Sequence, residues 1–233
     1  MIHIDTEVLP APFHWDPRTY FRGTEEFYVE TAESMVRQGH DVTVWMDRDE
    51  IIAHNGVRYV PREVGRGEAF SRYGGGRPTI LSCNRATGYP GGAHAVNWTN
   101  FASFPEAHFC APYPLVLISK AHRNLVKMSL PNNEVHIIGH GLPPHFPRYD
   151  GSAPKENLAI YTSSPDRGGT WLEAVWPQVE KETGTRLVTV YGGKTRAEMV
   201  DLYHSAKFWI HPGAGVELFC LSGQKALAAG CYP

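Results

Sequence analysis

The residues able to do chemistry in this chain lie where short apolar runs end. Leu158 to Tyr161 is one such run, and it leads into Ser163-Ser164-Pro165-Asp166-Arg167-Gly168-Gly169, a turn-rich stretch that carries one guanidinium. A guanidinium fixed at the end of a strand is a natural ligand for phosphate, because its planar fork meets two oxygens at once. Lys207 to His211 is a second run, followed by Pro212 and Gly213 and then by Glu217-Leu218-Phe219-Cys220-Leu221-Ser222, ahead of a helical stretch. That order brings a carboxylate and several backbone amides to the edge of a sheet. A third candidate is Gly23-Thr24, which opens a helix after the first strand and its loop. Free N–H groups and the positive helix end there suit an anion or a sugar hydroxyl.

Several better-known patterns are approached but not met. Gly192-Gly193-Lys194-Thr195 looks like the end of a nucleotide-binding P-loop, yet Val188 stands where that motif needs its first glycine. Gly213-Ala214-Gly215 has Leu218 at the third glycine position of a dinucleotide fingerprint. No G-x-S-x-G elbow and no H-E-x-x-H pair occurs. His136, His140 and His145 are close in sequence and are read as surface or linker histidines, so no metal is expected.

The elements that must position these residues follow from periodicity. Short apolar runs alternate with amphipathic stretches, the mark of β-α-β units and of an α/β class with a parallel sheet. Strands are expected at Ile2 to Ile4, Asp41 to Trp45, Val57 to Val60, Thr79 to Ser82, Leu115 to Ser119 and Val135 to Ile138. Helices are expected from Glu25 to Gln38, with Phe27, Ala32, Met35 and Val36 as the apolar stripe, and from Lys120 to Met128. Gly141-Leu142-Pro143-Pro144-His145-Phe146-Pro147 is too rich in proline for an element interior and reads as a linker, which places a domain boundary at 145/146. The alternation then restarts with strands at Leu158 to Tyr161, Leu187 to Tyr191 and Lys207 to His211. Helices are expected at Thr170 to Glu182, Arg196 to Ser205 and Ser222 to Ala229. The second half stops at Cys231-Tyr232-Pro233, where another strand is expected to begin, so it reads as a domain cut short.

Composition bounds the partners. The 233 residues hold 22 Lys plus Arg against 24 Asp plus Glu, so no basic field exists to hold a nucleic acid backbone. The four cysteines are scattered without a C-x-x-C pair, the start has no cationic and apolar leader, and no apolar run spans a membrane, which together predict a cytoplasmic protein with reduced thiols. Asn97-Trp98-Thr99 matches a glycosylation sequon that such a location leaves unread.

These residues also carry a family resemblance. Gly23-Thr24-Glu25-Glu26, a helix, and Gly39-His40-Asp41-Val42-Thr43-Val44 are similar to the opening of the family 4 glycosyltransferases. Tyr161 to Gly168, then Leu172, Trp176-Pro177 and Val190-Tyr191-Gly192-Gly193 resemble the start of that family's donor domain. Tyr203, Ala206, Pro212, Glu217 to Leu221 and Lys225 to Gly230 resemble its E-x7-E signature region, so the match runs in order along nearly the whole chain.

The resemblance implies a GT-B type fold, two Rossmann-like domains facing a cleft, with residues 1–145 on the acceptor side and an incomplete donor domain at 146–233. It implies transfer of a sugar from a nucleotide diphosphate donor, a UDP- or GDP-sugar, to an acceptor hydroxyl, with retention and without metal or other cofactor. Glu217 then contacts the donor sugar, Arg167 beside Gly168 neutralises phosphate, and the amides of Phe219, Cys220, Leu221 and Ser222 face the diphosphate. Lys225 stands where the family has its second signature glutamate, and Asn100 where it has a histidine near the transferred sugar. Those departures keep open a second expectation, a weak or inactive nucleotide-sugar-binding remnant of the same fold. An uncovered parallel sheet edge in the shortened domain further predicts a homodimer that hides it.

Overall fold

The computed structural model describes residues 1–6, 16–18, 23–71, 79–83, 94–99, 114–126, 134–144, 146–213 and 219–233. The chain divides into two compact units, the first running to His140 and the second from Gly141, with Gly23 grouped with the second.

The first unit is built on an eight-stranded sheet in the order β3-β4-β2-β1-β5-β6-β7-β8. Its strands are β1 (Ile2–Asp5), β2 (Val42–Met46), β3 (Ile52–His54), β4 (Val57–Pro61), β5 (Thr79–Cys83), β6 (His94–Thr99), β7 (Leu115–Leu117) and β8 (Val135–Ile137). All neighbours pair in parallel except β3 with β4. Every residue of β2, Val-Thr-Val-Trp-Met, is buried, as a central parallel strand covered on both faces requires. The helices are α1 (Gly23–Arg37), α2 (Arg62–Ser71) and α3 (Lys120–Val126).

Three of these elements were not expected from the sequence. β3 turns into β4 at Asn55-Gly56, with φ of 49° and 78°. Two successive positive φ values are what a two-residue hairpin demands, and the Asn-Gly pair was the readable sign of it. The turn packs on α1, where a Cβ on Gly56 would lie 2.7 Å from Val36 Cγ1. α2 was hidden by its two glycines, which lower helix propensity. Gly65 is there for packing: a Cβ on it would lie 2.2 Å from Trp45 Cδ1. β6 covers the sequon residues Asn97 to Thr99 and pairs with both β5 and β7. The stripe of α1 is also turned from its expected position, since Tyr28, Val29 and Ala32 are buried while Phe27 and Met35 are only half-buried.

The second unit carries a three-stranded parallel sheet in the order β10-β9-β11, from β9 (Glu156–Tyr161), β10 (Arg186–Thr189) and β11 (Ala206–Trp209). Its helices are α4 (Gly169–Thr183), α5 (Arg196–Ser205) and α6 (Leu221–Ala228). β9 lies in the middle, and its side chains alternate between two cores as strand geometry dictates. Leu158 and Ile160 join Met199, Tyr203, Trp209 and Ala226, while Ala159 and Tyr161 join Leu172 and Trp176 of α4. Tyr232 pairs with β11 through a parallel bridge to Phe208. Phe146, expected in the linker, is instead a core residue against Tyr203, because its ring finds an edge-on partner 5.6 Å away.

His3 anchors the first unit. It is fully buried on β1, accepts a hydrogen bond at Nδ1 from Trp45 Nε1 at 3.2 Å, and has its pKa lowered from 6.5 to about 4, chiefly by burial. The unfolded chain therefore binds the extra proton between those values, and stability is lost as pH falls from 6.5 toward 4. Thermal unfolding followed across that range should show a falling Tm, and His3→Gln should flatten the slope. Gly65→Ala should destabilise the protein by about 1–3 kcal/mol in urea titration, because the added methyl drives into the Trp45 indole.

Candidate functional site

The carboxyl end of β9 gathers the residues singled out in the second half of the sequence. Thr162, the first residue past the strand, holds three segments. Its Oγ1 accepts from Trp209 Nε1 at 3.2 Å and lies 2.8 Å from the Tyr203 hydroxyl, and its carbonyl accepts from Ser222 Oγ at 3.3 Å. The end of β11, the end of α5 and the first turn of α6 are thereby tied to one point.

The loop after Thr162 is closed by Tyr161, whose hydroxyl donates to the Ser164 carbonyl at 2.6 Å. Pro165–Arg167 forms one 3-10 turn, with the Arg167 amide donating to the Ser164 carbonyl. Asp166 is exposed, and hydrogen bonding to Ser164 holds its carboxyl below the usual range. Gly168 then takes a left-handed conformation with φ of 101° and ends the turn. A Cβ at Gly168 would lie 2.8 Å from Pro212 Cβ, so the loop after β9 and the loop after β11 are in contact. Gly169 opens α4 against two tyrosines, where a Cβ would lie 2.6 Å from the Tyr191 hydroxyl oxygen and 2.7 Å from Tyr161 Cε1. Burial raises the pKa of both phenols, and for Tyr191 the Glu173 carboxylate, which accepts its hydrogen bond at 3.0 Å, adds to the rise.

No side chain caps the start of α4. The start of α6 is capped by Cys220, whose Sγ accepts from the Gly223 amide at 3.4 Å. Two helix amino ends and the half-buried Arg167 therefore belong to the loops at the carboxyl edge of this sheet, where ligands bind in open α/β folds.

The structure thus brings Arg167, Gly168 and Ser222 to one edge, with Phe219 and Cys220 leading into α6, Leu221 opening it and Lys225 in its second turn. Glu217 and Asn100 lie outside the described residues, as does the side chain of Thr24, while Gly23 and Thr24 open α1. Of the three histidines read as surface or linker groups, His136 pairs with Glu134 at 3.1 Å, and His145 lies outside the described residues. His140 is not a surface group. It packs on Phe27 with ring centroids 4.3 Å apart, and burial lowers its pKa to about 4. Among the described residues no group of three or more His, Cys, Asp or Glu is placed to hold a metal ion. No helix among them is long and apolar enough to cross a membrane.

Sequence reasoning missed Thr162, Trp209 and His211 as parts of this edge. The strand was expected to run to His211, but it ends at Trp209, and the readable sign was Pro212, which cannot continue a ladder.

This architecture is α/β, Rossmann-like, and of the GT-B type found in glycosyltransferases. Sucrose-phosphate synthase from Thermosynechococcus elongatus is similar with a TM-score of 0.71 at 14% identity, over 99% of this chain and 79% of that one. A glycosyltransferase involved in lipopolysaccharide biosynthesis gives 0.62 at 12% identity, over 99% and 80%. A glycosyltransferase involved in avilamycin A biosynthesis gives 0.64 at 16% identity, over 99% and 76%. No protein-family model and no curated protein matches the sequence.

Removing the tie at Thr162 should be felt at once. Thr162→Val leaves the Trp209 N–H and the Tyr203 hydroxyl without their shared partner, and should cost about 1–3 kcal/mol in urea unfolding, whereas Thr162→Ser should keep most of the stability. Gly168→Ala should be destabilising by a similar amount, about 1–3 kcal/mol, through its positive φ and the clash with Pro212.

Proposed function

We propose that this chain is a retaining, metal-independent glycosyltransferase of family 4 that uses a nucleotide diphosphate sugar, a UDP- or GDP-sugar, to glycosylate an acceptor hydroxyl. The observation that carries the reading is the meeting of the Arg167-Gly168 loop with Pro212, together with the tie from Thr162 to Ser222 at the start of α6. A diphosphate leaving group needs positive charge and N–H donors placed together, and this edge offers a guanidinium and the amides of Phe219 to Ser222. The GT-B type fold and the names of the similar structures support the same reading.

In this reading residues 146–233 are the donor side and residues 1–145 the acceptor side. Arg167, next to Gly168, neutralises the departing diphosphate, and Glu217 contacts the transferred sugar. Lys225 occupies the place near the nucleotide ribose, and Gly23, Thr24 and Asn100 serve the acceptor side. The reaction breaks the bond between the anomeric carbon and the diphosphate oxygen and forms one to the acceptor oxygen, while the acceptor proton leaves to solvent or to the diphosphate.

The test is a thermal-shift and calorimetric panel with UDP, GDP, ADP and CMP and their sugar conjugates, repeated with EDTA. One nucleotide should raise the Tm irrespective of EDTA, and Arg167→Ala should weaken that binding by roughly tenfold, the loss of a charge-assisted contact. With donor and acceptor in hand, Glu217→Ala should lower transfer by about 100-fold or more. Binding without turnover would turn the reading to an inactive remnant, and no binding by any nucleotide would overturn both.

A further inference from the structure

His211, at the carboxyl edge of β11, makes no hydrogen bond to a described residue. It follows the strand by two residues, and its ring stacks on Trp209 with centroids 5.3 Å apart and planes within 5°. Trp209 is itself held in place: its Nε1 donates to Thr162, and Gly223 of α6 approaches so closely that a Cβ there would lie 3.2 Å from Trp209 Cη2. The imidazole therefore rests on a fixed platform, one residue before the Pro212 that touches the Arg167-Gly168 loop.

Its two nitrogens differ. Nδ1 is buried and has no hydrogen-bond partner. Of the two tautomers, the one with its proton on Nδ1 would bury an N–H without an acceptor, so the tautomer with the proton on Nε2 is favoured. Nε2 is not buried and is bonded by no described residue, so it offers an N–H donor to whatever occupies this edge.

We propose that His211 is a donor-binding residue, its Nε2–H hydrogen-bonding an oxygen of the donor's diphosphate, with the Trp209-Thr162-Tyr203 chain acting to position the ring. This rests on the function proposed above and adds to it a directional contact beside the charge of Arg167. Made to an oxygen of the β-phosphate, the contact exists with a nucleoside diphosphate and is missing with the corresponding monophosphate.

The experiment is calorimetric titration of the whole chain and its variants with the nucleoside diphosphate that the wild type binds and with its monophosphate. His211→Phe, which keeps the stack on Trp209 but has no N–H, should weaken the diphosphate by roughly tenfold and change the monophosphate by less than about twofold. His211→Gln, which restores an N–H donor, should recover most of the loss. If His211→Phe alters folding, as seen in its Tm and circular dichroism, the ring nitrogens are read in the wild type by NMR. The His211 Nε2 resonance should then shift on adding the diphosphate. Unchanged diphosphate affinity in His211→Phe while Arg167→Ala is weakened, or an Nε2 resonance that does not move, overturns the role of His211 and leaves the transferase reading standing. Absence of any nucleotide binding by the wild type overturns the transferase reading, and this one with it.

Discussion

The second unit depends on the hydrogen bonds of one residue, Thr162. The indole of Trp209, the phenol of Tyr203 and the hydroxyl of Ser222 lie 47, 41 and 60 residues along the chain from Thr162, and all three end on it. Trp209 and Tyr203 are core residues, so their polar atoms must be satisfied from within the protein. A hydroxyl that both accepts and donates, placed where the central strand ends, meets that need. The strand ends of β9 and β11 and the start of α6 are held in register as a result.

Close backbone approach does the rest. Parallel strands direct all their carboxyl ends to one side of the sheet, so the loops after β9 and β11 and the helix starts that follow them crowd together. At Gly168 and Gly169 the crowding leaves no room for a side chain: one abuts Pro212, the other the tyrosines at 161 and 191. The backbone at Arg167 is set by this frame, through the Ser164 carbonyl that accepts its amide and the contact of Gly168 with Pro212. The first unit uses a different device for the same end. There the aromatic pair of His3 and Trp45 and the glycine of α2 let a helix lie flat on a fully buried strand.

Much of this was open to reading in advance. β2 is apolar but for Thr43 and β9 ends in the apolar run Leu158 to Tyr161, short runs that fit buried strands, and α4 carries Leu172 and Trp176 at helical spacing over a glycine start. The Arg167 loop and the approach to α6 were legible because turn residues follow strands there. α2 was not, since its Gly65 answers to the Trp45 ring, a contact across the fold and not a local preference. β6 was masked by polar residues within it, and its strand identity comes from its two neighbours in the sheet.

By itself the sequence determined the α/β alternation, the parallel order of its units and the chemical types available at each strand end. Those are local properties, set by side-chain periodicity and by glycine and proline at turns. Tertiary structure alone decided that Pro212 meets Gly168, that Thr162 joins Trp209 to Tyr203, and that His211 stacks with one nitrogen buried and the other open. These depend on where separate strands end relative to one another, and strand register comes from packing two cores against the same sheet. Periodicity fixes which face a residue occupies, while only the packed sheet fixes which residue of another loop stands opposite it.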